Sequence, residues 1–281
     1  MSDIVYKKFT FSTPFLSGFK VLKIPIISHD GKPAWPELFP IEKINEMRKN
    51  VGLRHFSAQM MLEFIAPDRV RLDPNAFNIY SDEFDPHIAR IGDNNITGVC
   101  AYWDPSTGRR GRDGSVCVIV YRDDKNHRVF IHDILYLSVS DNDTHPLTSQ
   151  CDSVIDFIWK YNIHRIAIET NGIGNALPEI IRDVSARRGT KVIVQKITNN
   201  KNKEIRILDA IEPMLSSGRI YVHNRIGASP LFAEMMTWSP IGGGHDDGLD
   251  AVAGALQTMP VPVRATGGRI RTFSANTSFS V

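Results

Sequence analysis

Cysteine is scarce in this chain. Cys100, Cys117 and Cys151 are the only three in 281 residues, odd in number and widely spaced. Neither a disulfide framework nor a zinc knuckle follows, and a reducing compartment is expected. No apolar run approaches the roughly 20 residues needed to span a bilayer, which argues against membrane association. The opening stretch MSDIVYKKFTFSTPF lacks the apolar core of a signal peptide, so a cytoplasmic, non-secreted protein is expected. Net charge is also small. With 33 Lys and Arg against 31 Asp and Glu, the formal balance is +2, and any case for nucleic acid must rest on local clusters. No G-x-x-x-x-G-K-[ST] stretch occurs, and the glycines of TGRRGRDG lack the Lys-Ser or Lys-Thr end of a phosphate-binding loop. There are no internal repeats.

What is present is the composition of a globular protein, long enough for one large domain or a domain with an arm. Residues 1–90 differ from the rest. FKVLKIPII reads as strand-like, SHDGKPAWPELFP as a turn, and IEKINEMRKNVGLRHFSAQMMLEF as a helical stretch with Ile41, Ile44, Met47 and Val51 at helical spacing. The Pro-, Asp- and Asn-rich APDRVRLDPNAFNIYSDEFDPH then reads as an extended linker, with a boundary near residue 90.

From there the pattern is regular. ITGVCAYW, SVCVIVYR and RVFIHDILYLS read as three strands joined by hairpins. After them strands and helices alternate, with RIAIE, KVIVQKI and RIYV as strands and PLTSQCDSVIDFIWKY, ALPEIIRDVSARR and KEIRILDAIEPMLSSG as helices. SPLFAEMMTW and DDGLDAVAGALQT close the domain as two more helices. This order predicts an α/β fold: a mixed sheet, antiparallel at one side and parallel at the other, with helices on both faces. The tail from residue 261 has basic residues and no acid, and is expected to be flexible.

The chemistry concentrates in acids at element ends. GGGHDDGLDAVAGAL places Asp246, Asp247 and Asp250 at the start of a helix. Like charges about 4 Å apart repel by roughly 4 kcal/mol at an effective dielectric near 20. Helix capping accounts for two of them. Asp250 fits capping less well, because it sits one turn after Asp246 beside Leu249, Val252 and Leu256. Two strands also finish on an acid, at Asp104 and at Glu169. Asp104 before Pro105 is also good turn chemistry. If those strands are parallel neighbours, their carboxylates share the sheet edge where ligands gather. Five acids at one point would form an oxygen-rich site suited to Mg²⁺ or Mn²⁺. Two such ions can clamp the attacking and leaving oxygens of a phosphoryl displacement.

Cations lie nearby in sequence. Arg109, Arg110 and Arg112 follow Asp104, and seven basic residues fall between Arg187 and Arg206. Lys196 is counted among the DNA-backbone candidates, and Lys201, Lys203 and Arg206 carry more weight, because NKNKEIR puts cations at a helix start, where the dipole disfavours them. Asn171 and Asn199 could add neutral phosphate contacts. No aromatics are interleaved for single-strand stacking.

Together AYWDPSTGRRGRDGSVCVIV, RIAIETNGIGNALPEII, NKNKEIRILDAIEPMLSSGRIYV and GGGHDDGLDAVAGAL resemble successive motifs of the nuclease domain in the large terminase subunit of tailed bacteriophages. WPELFPIEKINEMRKNVGLRHFSAQMMLEF resembles the segment leading into that domain from the terminase ATPase. The resemblance implies an arm over 1–90, a ribonuclease H-like nuclease over 91–260, and a flexible basic tail over 261–281. It implies a two-metal endonuclease that cuts double-stranded viral DNA concatemers during packaging, with low sequence specificity. Asp104 would bridge the ions, Glu169 would bind on one side, and Asp246 or Asp247 would supply the third ligand. Asp250 would be a further catalytic acid, with Asp113 and His245 orienting ligands or water. Partners would be double-stranded DNA, a packaging ATPase, a small terminase subunit and a portal, in the cytoplasm of an infected or lysogenic bacterial host. Without a phosphate-binding loop, packaging ATPase activity is not expected of this polypeptide. A junction resolvase or integrase-type nuclease of the same fold, or a non-catalytic docking subunit, are the alternatives.

Overall fold

Runs of β-branched and aromatic residues build the centre of the molecule. In the computed structural model, which describes residues 22–28, 31–51, 53–62, 72–107, 114–140, 142–240 and 245–265, the chain divides into two compact units between Ile65 and Ala66. In the first unit, helices α1 (Ile41–Val51) and α2 (Leu53–Gln59) pack around Ile26, Ile44 and Phe56. The single helical stretch expected there is thus two helices, with Gly52, a poor helix former, between them in sequence. Residues 22–27 form no strand beyond an isolated bridge from Ile27 to Pro33. Pro25 lacks the N–H a ladder would need.

The second unit begins with β1 (Asn78–Tyr80), then a small three-stranded sheet of β2 (Phe84–Asp85), β3 (Arg90–Ile91) and β4 (Asn94–Asn95). Three long strands follow: β5 (Gly98–Asp104), β6 (Ser115–Asp123) and β7 (Arg128–Leu137). Then come α3 (Pro146–Lys160), β8 (Arg165–Glu169), α4 (Leu177–Arg187), β9 (Ile193–Ile197), α5 (Lys203–Ser216) and β10 (Ile220–His223). Helices α6 (Leu231–Thr237) and α7 (Asp247–Gln257) and the short β11 (Val261–Pro262) complete it.

The large sheet runs in the order β1-β10-β7-β6-β5-β8-β9, with β11 paired to β5. β5, β6 and β7 are antiparallel, as expected, but they lie in the middle. β8 and β9 continue the sheet in parallel beyond β5, and β10 and β1 do so beyond β7. At the far edge β10 falls on the expected strand RIYV, whereas β1 escaped sequence reading because its three residues are too few to show a period. β1 also places part of the expected linker inside the main sheet, and the compact units part at residue 65 rather than near residue 90.

Alternation along β5 sorts the core. Cys100 and Tyr102 face a cluster completed by Ile207, Leu208 and Ile211 of α5 and Leu249 and Val252 of α7. Val99, Ala101 and Trp103 face the other, with Val154, Ile155 and Ile158 of α3 and Ile181 and Val184 of α4. The run of Ala251, Ala253, Gly254 and Ala255 lets α7 lie close on the sheet. A Cβ on Gly254 would fall 2.6 Å from the Tyr102 hydroxyl and collide with its ring. No helix among the described residues is long and apolar enough to cross a membrane.

Candidate active site

β5 and β8 run parallel with Tyr102 opposite Ala167 and Trp103 opposite Ile168, so Asp104 and Glu169 come next along the same edge. The period of two also puts both on the face covered by α5 and α7. Glu169 is held firmly. Its Oε2 accepts from Tyr102 Oη at 2.8 Å, Asn199 Nδ2 at 2.8 Å and Arg206 Nη1 at 3.3 Å, and its Oε1 accepts from Asn171 Nδ2 at 3.0 Å. Asp104 has no hydrogen bond to its carboxylate among the described residues. Burial, then the charges of Asp250 and Glu169, push its pKa well above the usual carboxylate range.

The three aspartates of α7 do not cap their own helix. Asp246 sits at the cap position, but its side chain makes no capping bond. The amides of Gly248 and Leu249 instead donate to Glu234 Oε2, at 2.9 and 3.2 Å, from helix α6. With the helix end satisfied from outside, the aspartates bond to other partners. Asp247 Oδ2 accepts from the Gly114 amide at 2.7 Å, an approach so close that a Cβ on Gly114 would meet the same oxygen. Asp250 is bonded to Arg206 Nη2.

Two cations of α5 neutralise this cluster. Lys203 Nζ lies 2.7 Å from Asp246 Oδ1, 3.9 Å from Asp247 Oδ1 and 3.6 Å from Asp250 Oδ2. Burial alone would depress its pKa, but the bond to Asp246 and the three negative charges raise it. Arg206, only 4% exposed, spans Glu169 and Asp250. Burial raises the Asp250 pKa even with that guanidinium beside it. The arrangement therefore holds four acids, Glu169, Asp246, Asp247 and Asp250, around two fixed positive charges, with Asp104 half-buried beside them.

Five of the expected acids thus meet at one edge. Lys203 and Arg206, expected on a DNA backbone, lie inside the cluster, and Asn171 and Asn199 bind Glu169. Lys196 and Lys201 are exposed on β9 and the loop after it, and His245 is exposed just before α7. Arg109, Arg110, Arg112 and Asp113 lie outside the described residues, as does the tail from 266. Tyr102 and Glu234 were not anticipated. Tyr102 had a signal, two residues before Asp104 on the same strand face. Glu234 had none, because its partner amides lie on another helix.

Residues 104–220 match the family described as Terminase Bacteriophage T7, Ribonuclease H-like domain. No curated protein sequence matches the chain. Among solved structures, the nuclease domain of the bacteriophage P22 large terminase is similar at 12% identity, covering 67% of this chain and 91% of that one, with a TM-score of 0.47. The human cytomegalovirus terminase nuclease domain is 16% identical, covering 67% and 89%, with a TM-score of 0.42. For the nuclease domain of the bacterial virus Sf6 large terminase subunit the values are 12%, 58% and 89%, with a TM-score of 0.41. The expected resemblance is met over residues 104–220, which match that family's model, and the expected mixed, helix-flanked sheet is met as well.

Proposed function

We propose that this chain is a metal-dependent DNA endonuclease that cuts double-stranded viral DNA concatemers during genome packaging, with little sequence preference. The observation that carries this reading is the convergence of Asp104, Glu169 and the α7 aspartates at one sheet edge around a buried positive charge. The donors are all carboxylate oxygens, which suit Mg²⁺ or Mn²⁺. No three acidic, histidine or cysteine side chains among the described residues are already gathered at metal-holding distance. Lys203 Nζ, 2.7 Å from Asp246 Oδ1 and 3.6 Å from Asp250 Oδ2, supports the reading that these oxygens attract a cation. Binding an ion there would require that ammonium to move aside.

In this reading Asp104, Glu169 and Asp246 or Asp247 hold the ions. Asp250 is tied to Arg206 and orients it. When bound, two divalent ions supply an activated water and stabilise the departing 3′ oxygen. Tyr102, Asn171 and Asn199 fix the Glu169 carboxylate, and the Gly114 amide fixes Asp247. Water adds to the backbone phosphorus, the P–O3′ bond breaks, and the products are a 5′-phosphate and a 3′-hydroxyl. Lys196 and Lys201, with Arg109, Arg110 and Arg112, which follow Asp104 in sequence, would meet phosphates without reading bases. The partners are double-stranded DNA, a packaging ATPase, a small terminase subunit and a portal, in the host cytoplasm.

The test is cleavage of supercoiled plasmid by wild type, Asp104→Asn and Asp247→Asn, with Mn²⁺, Mg²⁺ or EDTA. Nicked and linear products from wild type alone, abolished by EDTA, are expected. Cutting that persists in EDTA or in Asp104→Asn would overturn the reading.

A further inference from the structure

A second cavity, of about 710 Å³, lies at the other end of the sheet. It opens beside Val99 near the start of β5 and Arg165 at the start of β8. Arg165 and Glu169 are the two ends of β8, four residue steps or about 13 Å apart at the usual strand rise. None of the five acids lines it.

Its construction has three parts. The floor is aromatic: the Phe84 and Tyr121 rings stack at 4.5 Å between centroids and 23° between planes. Polar atoms sit within that floor. Among the described residues the Tyr121 hydroxyl is buried with no hydrogen-bond partner, and His132 Nε2 faces Glu83 Oε2 at 3.3 Å without a hydrogen bond. Burial pushes the His132 pKa down to about 4, so its ring is neutral at pH 7. The mouth is positive, since Lys160, Arg165, Arg225 and Arg264 line the cavity against the single acid Glu83. Lys160 is paired with Asp133, and Arg225 with Glu83. Arg165 and Arg264 are exposed and make no ion pair among the described residues.

Each part restricts the ligand. A volume in this range suits a small molecule. An aromatic floor favours a flat ring. A purely apolar ring or acyl chain would cover the Tyr121 hydroxyl and the His132 nitrogen without satisfying them, which disfavours its binding. The body should therefore carry polar edge atoms, as a heteroaromatic base does. Two unpaired guanidinium groups at the mouth suit a phosphate. We propose that this cavity binds a nucleoside 5′-monophosphate, with the base against Phe84 and Tyr121 and the phosphate at Arg165 and Arg264. The same chemistry is offered by a free nucleotide and by the 5′-phosphorylated end of a DNA strand.

The test is calorimetric titration of the whole chain in EDTA with dTMP, thymidine, inorganic phosphate and a 5′-phosphorylated oligothymidylate. Binding of dTMP with a Kd below about 1 mM is expected. Thymidine and phosphate should each bind at least tenfold more weakly. Arg165→Ala with Arg264→Ala, both exposed, should cost at least tenfold, and Val263→Trp, which fills the cavity, should abolish binding. Asp104→Asn should leave it unchanged, and this result separates the cavity from the proposed nuclease edge. Equal affinity for the oligonucleotide assigns the site to a DNA end, and preference for dTMP assigns it to free nucleotide. The proposal is overturned if dTMP does not bind, if phosphate or thymidine alone binds as well, or if binding is lost in Asp104→Asn and retained in Val263→Trp.

Discussion

Replacing Arg206 by alanine gives the sharpest test of how the carboxylate cluster is held. Its guanidinium lies 3.3 Å from Glu169 Oε2 and is bonded to Asp250, and both of its ion-pair partners are buried. At an effective dielectric near 20, one such contact is a gross attraction of about 5 kcal/mol. Desolvation offsets most of that in the intact site, so the pair adds little net stability as built. Removing one partner is different, because among the described residues Glu169 is then left buried with only the neutral donors Tyr102, Asn171 and Asn199, and Asp250 with only Lys203 at 3.6 Å. The cost of breaking a buried pair is about 3–5 kcal/mol. For a domain of this size that lowers Tm by roughly 6–20 °C. Urea unfolding of wild type and Arg206→Ala in EDTA measures it directly. Adding Glu169→Gln and Asp250→Asn to Arg206→Ala removes the stranded charges and should recover most of the loss. The reasoning fails if the single variant lies within about 1 kcal/mol of wild type, or if neutralising the acids recovers nothing.

Three further outcomes follow from other contacts. Glu234→Ala leaves the Gly248 and Leu249 amides without their acceptor, so a loss of about 2–3 kcal/mol is expected in urea unfolding, with Glu234→Gln losing less than half of that. Gly254→Ala forces a methyl against the Tyr102 ring, and overpacking of about 1–3 kcal/mol is expected. Because Tyr102 holds Glu169, any plasmid cleavage should fall as well. His132 is fully buried, and burial, then the Arg225 and His223 charges, lower its pKa to about 4. The unfolded chain has the ordinary value near 6.5, so it binds more protons, and the stability from neutral His132 is complete above that pH and lost as pH falls through it toward 4. Between about pH 7.5 and 5 this amounts to about 2 kcal/mol. Urea midpoints should show that slope in wild type and a flatter one in His132→Gln.

Much of the fold was legible because its signals are local. The long strands β5, β6 and β7 alternate or run apolar over seven to ten residues, and β8 was readable to its last residue, Glu169. Acids at the ends of two strands and the start of a helix could be seen to belong together once the strands were taken as neighbours. β1 could not be read, because a strand of three residues carries too little pattern, and RIYV was legible as the strand β10 but not as the parallel neighbour of β7. Lys203 and Arg206 were legible as cations at a helix start, but not as cations turned inward.

The sequence by itself determined the element types, the helix-flanked mixed sheet and the supply of carboxylates, since each depends on side-chain period and composition along a single segment. Only tertiary structure decided that Asp104 and Glu169 stand in register, that Glu234 caps α7, and that Arg206 lies between Glu169 and Asp250. Those are contacts between residues far apart in the chain. Their energies depend on burial and distance, which no local pattern encodes.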